Sequence, residues 1–195
     1  SNFYNMKAKG LKSSRLGAEI TNTDNLVSNP NVSKAEYAYI LDWDDYNAPA
    51  ALYYMQSKGI IASSAFKPFS IKTNAGNKNF NYGSIMIPVS KQKLASNEVF
   101  QIVKEAQDKF NVPMYSASTG FSTKGIDLGS NNFRTLKMPK AAMLIGNGVS
   151  SLEAGEVWHL LDTRIQMPIT KLQMRSFRGV SLDKYSTLVM VSGSY

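Results

Sequence analysis

Apolar positions are thin and unpatterned through the first 34 residues, where Asn, Ser and Thr cluster in ITNTDNLVSNPNVS (20–33). Such a stretch reads as an irregular lead-in. From Glu36 the pattern sharpens. EYAYILDW (36–43) is aromatic and β-branched enough to predict a strand over 37–43, ending at the polar corner Asp44-Asp45. Pro49 suits the first turn of a helix, where a missing N–H is harmless. Ala51, Leu52 and Met55 give that helix (48–58) an apolar side, and Gly59 is a plausible left-handed stop. Ile60-Ile61-Ala62 resumes as a strand over 60–63. The segment AFKPFSIKTNAGNKNFNYGS (65–84) predicts a strand, a turn at 74–77 and a return to Tyr82-Gly83, and SIMIPV (84–89) a short buried strand.

The clearest helix follows. Val99, Val103, Ala106 and Phe110 recur at steps of four, three and four, which places them on one face. Ser96 is the expected cap, Glu98 favours the positive end, and Pro113 stops the helix. MYSAS (114–118) reads as a strand, and the glycine-rich GFSTKGIDLGSNNF (120–133) leads to a boundary at Lys137-Met138-Pro139. Beyond it, AAMLIGNGVSSLEAGEVWHLLDTR (141–164) predicts a strand over 141–145, a glycine turn and a helix over 151–164. Strands are expected again over 169–174 and, after a charged connector, over 186–191.

Strands alternating with helices of this length predict an α/β fold with a largely parallel sheet and flanking helices. The expected division is a lead-in (1–34), an α/β unit (35–138) and a second, shorter unit (139–195). The order strand, helix, strand, strand over 37–89 recurs over 141–191, an offset of roughly a hundred residues. Structural repetition and the common α/β theme both account for that. The short linker at Pro139 favours the second unit docking on the first, either in one sheet or by tight packing. The alternative is an exposed apolar edge at TLVMV (187–191), open to strand pairing with another chain.

The glycine turn is the first candidate for chemistry. A dinucleotide fingerprint needs a third glycine where Ser151 stands, and a carboxylate at the end of the second strand, where Gln173, Met174 and Arg175 stand instead. No G-K-[ST] occurs, so a phosphate loop of that kind is excluded. The local account is better: Ser150 and Glu153 form an S-x-x-E capping box, and Gly146 and Gly148 permit a tight strand-to-helix corner. Amides of Gly146, Asn147, Gly148, Ser150 and Ser151 at the helix start still offer a place for an anion.

Composition removes other classes. With no cysteine the chain has no disulfide, thiolate nucleophile or cysteine-bound metal. A zinc site of the His/Glu/His kind needs two imidazoles, and His159 is the single histidine. The net charge of +8 raises nucleic-acid binding, but the lysines and arginines are scattered, with no basic stripe and no aromatic RNA-binding signature, so no specific nucleic-acid partner is expected. No apolar run is long enough to span a bilayer. No signal sequence opens the chain, and Ser1-Asn2 has the form of a cleaved-tag scar with the natural N-terminus upstream of it, so the absence of a signal here leaves the native address open.

Three further groups draw attention. On a helical wheel Ala154, Val157, Trp158 and Leu161 share one arc, expected to be buried, while Glu156, His159 and Asp162 face solvent. That acidic face around a histidine resembles acid/base machinery, but a solvated helix face has the same composition. Asp42, Asp44 and Asp45 lie at the C-terminal edge of a strand, where α/β proteins place ligands, yet lack calcium-loop spacing; helix capping by Asp45 or Asn47 is the plainer role. Asp127, in the glycine-bounded KGIDLGS (124–130), is the third, as a ligand loop or simply a turn.

Taken together, GSIMIPVSKQ (83–92), STGFSTKGIDLGSNNFRTLKMPKAAMLIGNGVSSLEAGEVWHLLDTR (118–164) and the ending YSTLVMVSGSY (185–195) resemble a specific region. It lies downstream of the catalytic domain in large bacterial zinc carboxypeptidases, especially those of Bacteroidetes, and the resemblance covers roughly residues 37–195. In that family a His-x-x-Glu…His domain is followed by an α/β region whose last part is similar to class I glutamine amidotransferase domains. The resemblance therefore implies flavodoxin-like units, the second one truncated. Neither the zinc ligands nor the amidotransferase cysteine has a counterpart here, so no catalytic residue is carried over and zinc belongs to the parent's catalytic domain. What is implied is a non-catalytic accessory region of a periplasmic or extracellular metallocarboxypeptidase. Its partner would be its own upstream catalytic domain, with peptide or envelope material as a further one. A free-standing small-ligand or anion-binding module using the 146–151 turn is the other reading, with Asp127 a separate candidate ligand-binding residue. An enzyme built on Asp127 or His159 is a third. Purified, the chain is expected to hold no stoichiometric zinc and to release no C-terminal residue from peptides; metal analysis finding one tightly bound zinc per chain would overturn this.

Overall fold

The computed structural model describes residues 31–195 and, ahead of them, Gly10, Lys12, Ser13, Gly17, Ala18, Glu19 and Thr21, so most of the expected lead-in lies outside the described residues. Its end is not idle: Val32 and Ala35 are buried, and the Ala35 amide donates to the Tyr39 hydroxyl at 3.1 Å.

The first unit is built around strands β1 (Ala38–Leu41), β2 (Ser63–Ala65), β5 (Ile85–Pro88), β6 (Met114–Ala117) and β8 (Phe133–Thr135), in the order β6-β1-β5-β2-β8. Every neighbouring pair is antiparallel. Helix α1 (Ala48–Ser57) joins β1 to β2, and α2 (Ser96–Phe110) joins β5 to β6. Each crossover connects two strands of like direction with one strand of opposite direction between them. The two split β-α-β units interleave, which is the ferredoxin-like arrangement.

A largely parallel sheet was expected here, and that expectation fails for a physical reason. Strands covered on both faces are apolar throughout, a pattern typical of parallel sheets. Here Tyr39, Leu41, Ile85, Ile87 and Met114 point to the helix layer, where they meet Ala51, Met55, Val99, Val103 and Ala106. Ala38, Ile40, Met86, Tyr115 and Ala117 point the other way and are covered by a hairpin rather than by helices. That hairpin is β3 (Phe69–Thr73) and β4 (Gly76–Phe80), with β7 (Lys124–Gly125) pairing along β3. Phe69 stacks on Phe80 at 5.1 Å, and Phe80 meets Tyr115 edge-on at 5.6 Å. A hairpin on the second face leaves the same apolar signature as a helix would.

The second unit is parallel. Strand β9 (Ala141–Ile145) lies between β10 (Thr170–Gln173) and β11 (Thr187–Val189), both in its own direction. Its strands do not extend the first sheet, and the hundred-residue repetition is absent: β9 and β10 are neighbours, whereas β1 and β2 are separated by β5. Helix α3 (Ser151–His159) ends earlier than the spacing predicted and runs on as a wider π-helical turn, 160–165, closed by Gln166 in the left-handed region (φ 57°). Val157 and Leu161 are half-buried against Met143, Met167 and Ile169. Trp158 departs from the expected burial. It is 43% exposed, because α3 sets it over the edge strand β10, where the Lys171 ammonium lies 4.2 Å from its ring centre. Glu156, His159 and Asp162 are exposed. The opposite face, Ala142, Leu144 and Leu172, is covered by Met174, Phe177, Val180 and Tyr185 from the connector, which folds as two short 3-10 turns.

The units meet along α1. Tyr53 packs into the second core and Ile165 into the first. Leu41→Ala, at a site with no solvent exposure, is expected to cost about 2–5 kcal/mol, the half-buried Leu161→Ala less, and His159→Ala little. Urea unfolding that ranks Leu161 at or above Leu41 would reverse this assignment of cores.

Candidate functional site

The glycine turn is held by the chain's own end. Val149 bridges Gly193, the Ser150 amide donates to the Ser192 carbonyl at 2.8 Å, and the Ser194 amide donates to the Gly148 carbonyl at 2.8 Å. Gly148 (φ 84°) is also held close, since a Cβ there would lie 3.0 Å from the Ser194 carbonyl oxygen. A Cβ on Gly193 would come within 2.7 Å of the Gly148 carbonyl. Only half of the expected capping box forms. Ser150 Oγ accepts from the Glu153 amide at 3.4 Å, but the Glu153 carboxylate accepts from the Ser192 amide at 2.8 Å instead of reaching back to Ser150. The same glutamate thus ties the helix start to the last residues. Beside the turn lies a cleft of about 400 Å³, bordered by Gly146, Ser150, Ser151, Trp158 and Lys171.

Asp127 is separate: no residue lines both its cleft and that of the glycine turn. Its carboxylate accepts from the Ser122 amide at 2.7 Å and its carbonyl from the Ser130 amide at 2.9 Å, so it organises its own loop. Leu128 anchors that loop in the hairpin-side core. A cleft of about 490 Å³ opens beside it, with Tyr37 packed directly over Gly120 and Phe121 largely exposed.

The acidic cluster is spent on structure. Asp42 pairs with Lys78 at 3.4 Å, Asp44 accepts from the Asn81 carboxamide at 3.0 Å, and Asp45 accepts from the Asn47 amide at 2.9 Å, turning the chain into α1. Asn47 makes no side-chain cap; its carboxamide donates to the Phe110 carbonyl at 3.0 Å. Burial, the largest influence on Lys78, opposes its charge, yet the Tyr115 side chain and the Asp42 carboxylate together outweigh it and leave its pKa above the ordinary lysine value. For α2 the cap is Ala95, not Ser96, and Glu98 reaches back to the Ala95 amide at 2.9 Å. His159 sits exposed at the end of α3, its carbonyl accepting from the Thr163 hydroxyl at 2.6 Å. Among the described residues no three His, Asp or Glu side chains lie close enough to hold a metal ion, and no helix is long and apolar enough to cross a membrane.

A further cleft, larger than these two, is one that local sequence patterns do not announce. It lies in the seam between the units, about 650 Å³ in volume, with Pro49, Leu52, Tyr53 and Gln56 on one wall and Leu161, Ile165 and Met167 on another. Trp43 and Tyr82 stand at its mouth, both exposed. The four α1 positions follow helical spacing and form one stripe. That stripe was the available signal, but nothing local says it faces a second unit rather than water.

Gly193→Ala is expected to lower the stability of the free chain by about 1–3 kcal/mol, through crowding against Gly148. Urea unfolding unchanged by that substitution would mean that the terminal segment does not hold the turn.

Compared with family models, curated proteins and solved structures, the chain matches none.

Proposed function

We propose that this chain is a non-catalytic accessory region of a periplasmic or extracellular zinc metallocarboxypeptidase, working through the seam between its two units. The observation that carries this is the contrast between the polar candidates and the seam. Asp42, Asp44, Asp45, Asp127 and Glu153 are each engaged by a neighbouring side chain or backbone amide, while the cleft in the seam is apolar and bounded by exposed aromatics. Clefts of this kind bind; they do not move protons. The parent's zinc and its ligands belong to the domain upstream, and the region's tasks there are to support that domain or shape the approach of peptide. Reading the gene upstream of this segment should reveal His-x-x-Glu and a later histidine. An upstream sequence without them would overturn the parentage.

The cleft beside the glycine turn favours a second reading, a small-anion site bordered by Gly146, Ser151 and Lys171, whose ammonium is already held near Trp158, the Val149 and Ser150 amides being engaged by the Gly146 and Ser192 carbonyls. Inorganic phosphate would then shift Trp158 emission saturably, and Lys171→Gln would abolish the shift. No response at tens of millimolar phosphate would remove this reading.

A further inference from the structure

We propose that the cleft beside the 119–130 loop binds the guanidinium group of an arginine side chain, stacked on the Tyr37 and Phe121 rings and paired with the Asp127 carboxylate. The site goes beyond the accessory reading, since it uses neither the seam nor the glycine turn.

The loop is set before any ligand arrives. The Leu128 amide donates to the Gly120 carbonyl at 2.9 Å, the Ser122 amide to Asp127 Oδ1 at 2.7 Å, and the Ser122 hydroxyl to the Ile126 carbonyl at 2.7 Å. Leu128 is 2% exposed in the hairpin-side core, and β7, inside the loop, pairs with β3. Phe121 stands between Gly120 and Ser122, the two residues tied across the loop, and is nonetheless 78% exposed. A ring presented to water on a fixed loop loses little freedom on binding.

Tyr37 forms the other wall. Its amide donates to the Ala117 carbonyl at 3.1 Å and its carbonyl accepts from the Val89 amide at 2.9 Å, which fixes its backbone. Its ring lies on Gly120, where a Cβ would be 2.5 Å from the ring carbon that bears the hydroxyl. Gly129 is under no such demand, since a Cβ there would make an ordinary contact, 3.6 Å from the Tyr37 hydroxyl. The absence of a side chain at 129 keeps the cleft of about 490 Å³ open.

Charge names the ligand. Asp127 is the single charged residue in the lining, and among the described residues it enters no ion pair. The Ser122 amide takes Oδ1; among the described residues nothing bonds Oδ2, and Asp127 is exposed. A carboxylate beside aromatic rings suits a cation, because ring faces attract positive charge, and a planar guanidinium both stacks on a ring and donates to a carboxylate. A phosphate or carboxylate ligand would meet repulsion from Asp127 and find no base in the lining. A neutral sugar would leave the carboxylate's charge uncompensated. The chain's own +8 opposes a cation only at long range. Its bases are scattered, and physiological salt screens charges beyond about 8 Å, so the contact pair decides.

The test titrates the isotope-labelled chain with N-acetyl-arginine amide, with N-acetyl-citrulline amide, which has nearly the same shape and no charge, and with methyl glucoside, following backbone amide resonances. The arginine amide should shift Gly120, Phe121 and Gly129 saturably, with half-saturation on the order of millimolar, and more weakly as salt rises. The citrulline amide and the glucoside should leave these resonances in place. Asp127→Asn keeps an acceptor for the Ser122 amide while removing the charge, and should weaken binding about tenfold at an unchanged melting temperature. Phe121→Ala, at an exposed position, should also weaken it and carries the test if Asp127→Asn does not fold. No saturable shift with the arginine amide, an equal response to the citrulline amide or the glucoside, or undiminished binding in both variants would overturn the proposal. None of these outcomes touches the parentage, which the upstream gene decides.

Discussion

Helix α1 is apolar on two sides at once, and the arrangement of the molecule follows from that. Ala48, Ala51 and Met55 are fully buried in the first core, and the small alanines let α1 sit close to the sheet and to α2. An ordinary surface helix would present polar side chains on its remaining face. Here Pro49, Leu52, Tyr53 and Gln56 occupy it, a surface that water solvates poorly. Tyr53 and Ile165 cross over to each other's cores, so that the π-helical turn covers part of this second stripe. The part left uncovered is the seam cleft. Cavity and interface are thus two outcomes of one helix with more apolar surface than its own sheet can hide.

The elements were legible where pattern and punctuation agreed. The spacing of Val99, Val103, Ala106 and Phe110 located α2, and the run before Gly146 located β9. The β3–β4 hairpin announced itself through the turn expected at 74–77, which is tighter in the structure, Thr73 already pairing with Gly76 and Lys72 with Asn77. Strand direction was not legible, because Tyr39-Ile40-Leu41 reads the same whether its second face meets a helix or a hairpin. The two- and three-residue strands β7 and β8 carry too few positions for any period to show. Trp158 misled for a related reason: the wheel describes the helix, but burial depends on whether a strand lies beneath that arc, and the sheet ends there.

The candidate site divides along similar lines. That Gly146 and Gly148 turn a corner could be read from the missing third glycine and carboxylate. Their closure by Ser192, Gly193 and Ser194 could not, since it joins residues more than forty positions apart. Asp42 and Asp44 look like ligands in sequence because turns and metal loops draw on the same oxygen-rich residues. Only their partners, Lys78 and Asn81, separate the two roles.

The interleaved order of the first sheet has a kinetic side. Strand β1 pairs with β5 on one edge and with β6 on the other, so Ala38 waits for Pro88 and Ala117 before either edge is satisfied. On a growing chain β1 and α1 emerge early but cannot complete their layer until α2 and β6 have followed. Loop closure over such spans slows formation of the nucleus and prolongs the exposure of an unpaired apolar strand. The second unit has no such delay, because β9, α3 and β10 are consecutive and make parallel neighbours directly. It follows the first unit in synthesis, yet its own pairings need less chain, and α1 would be the surface on which the two meet.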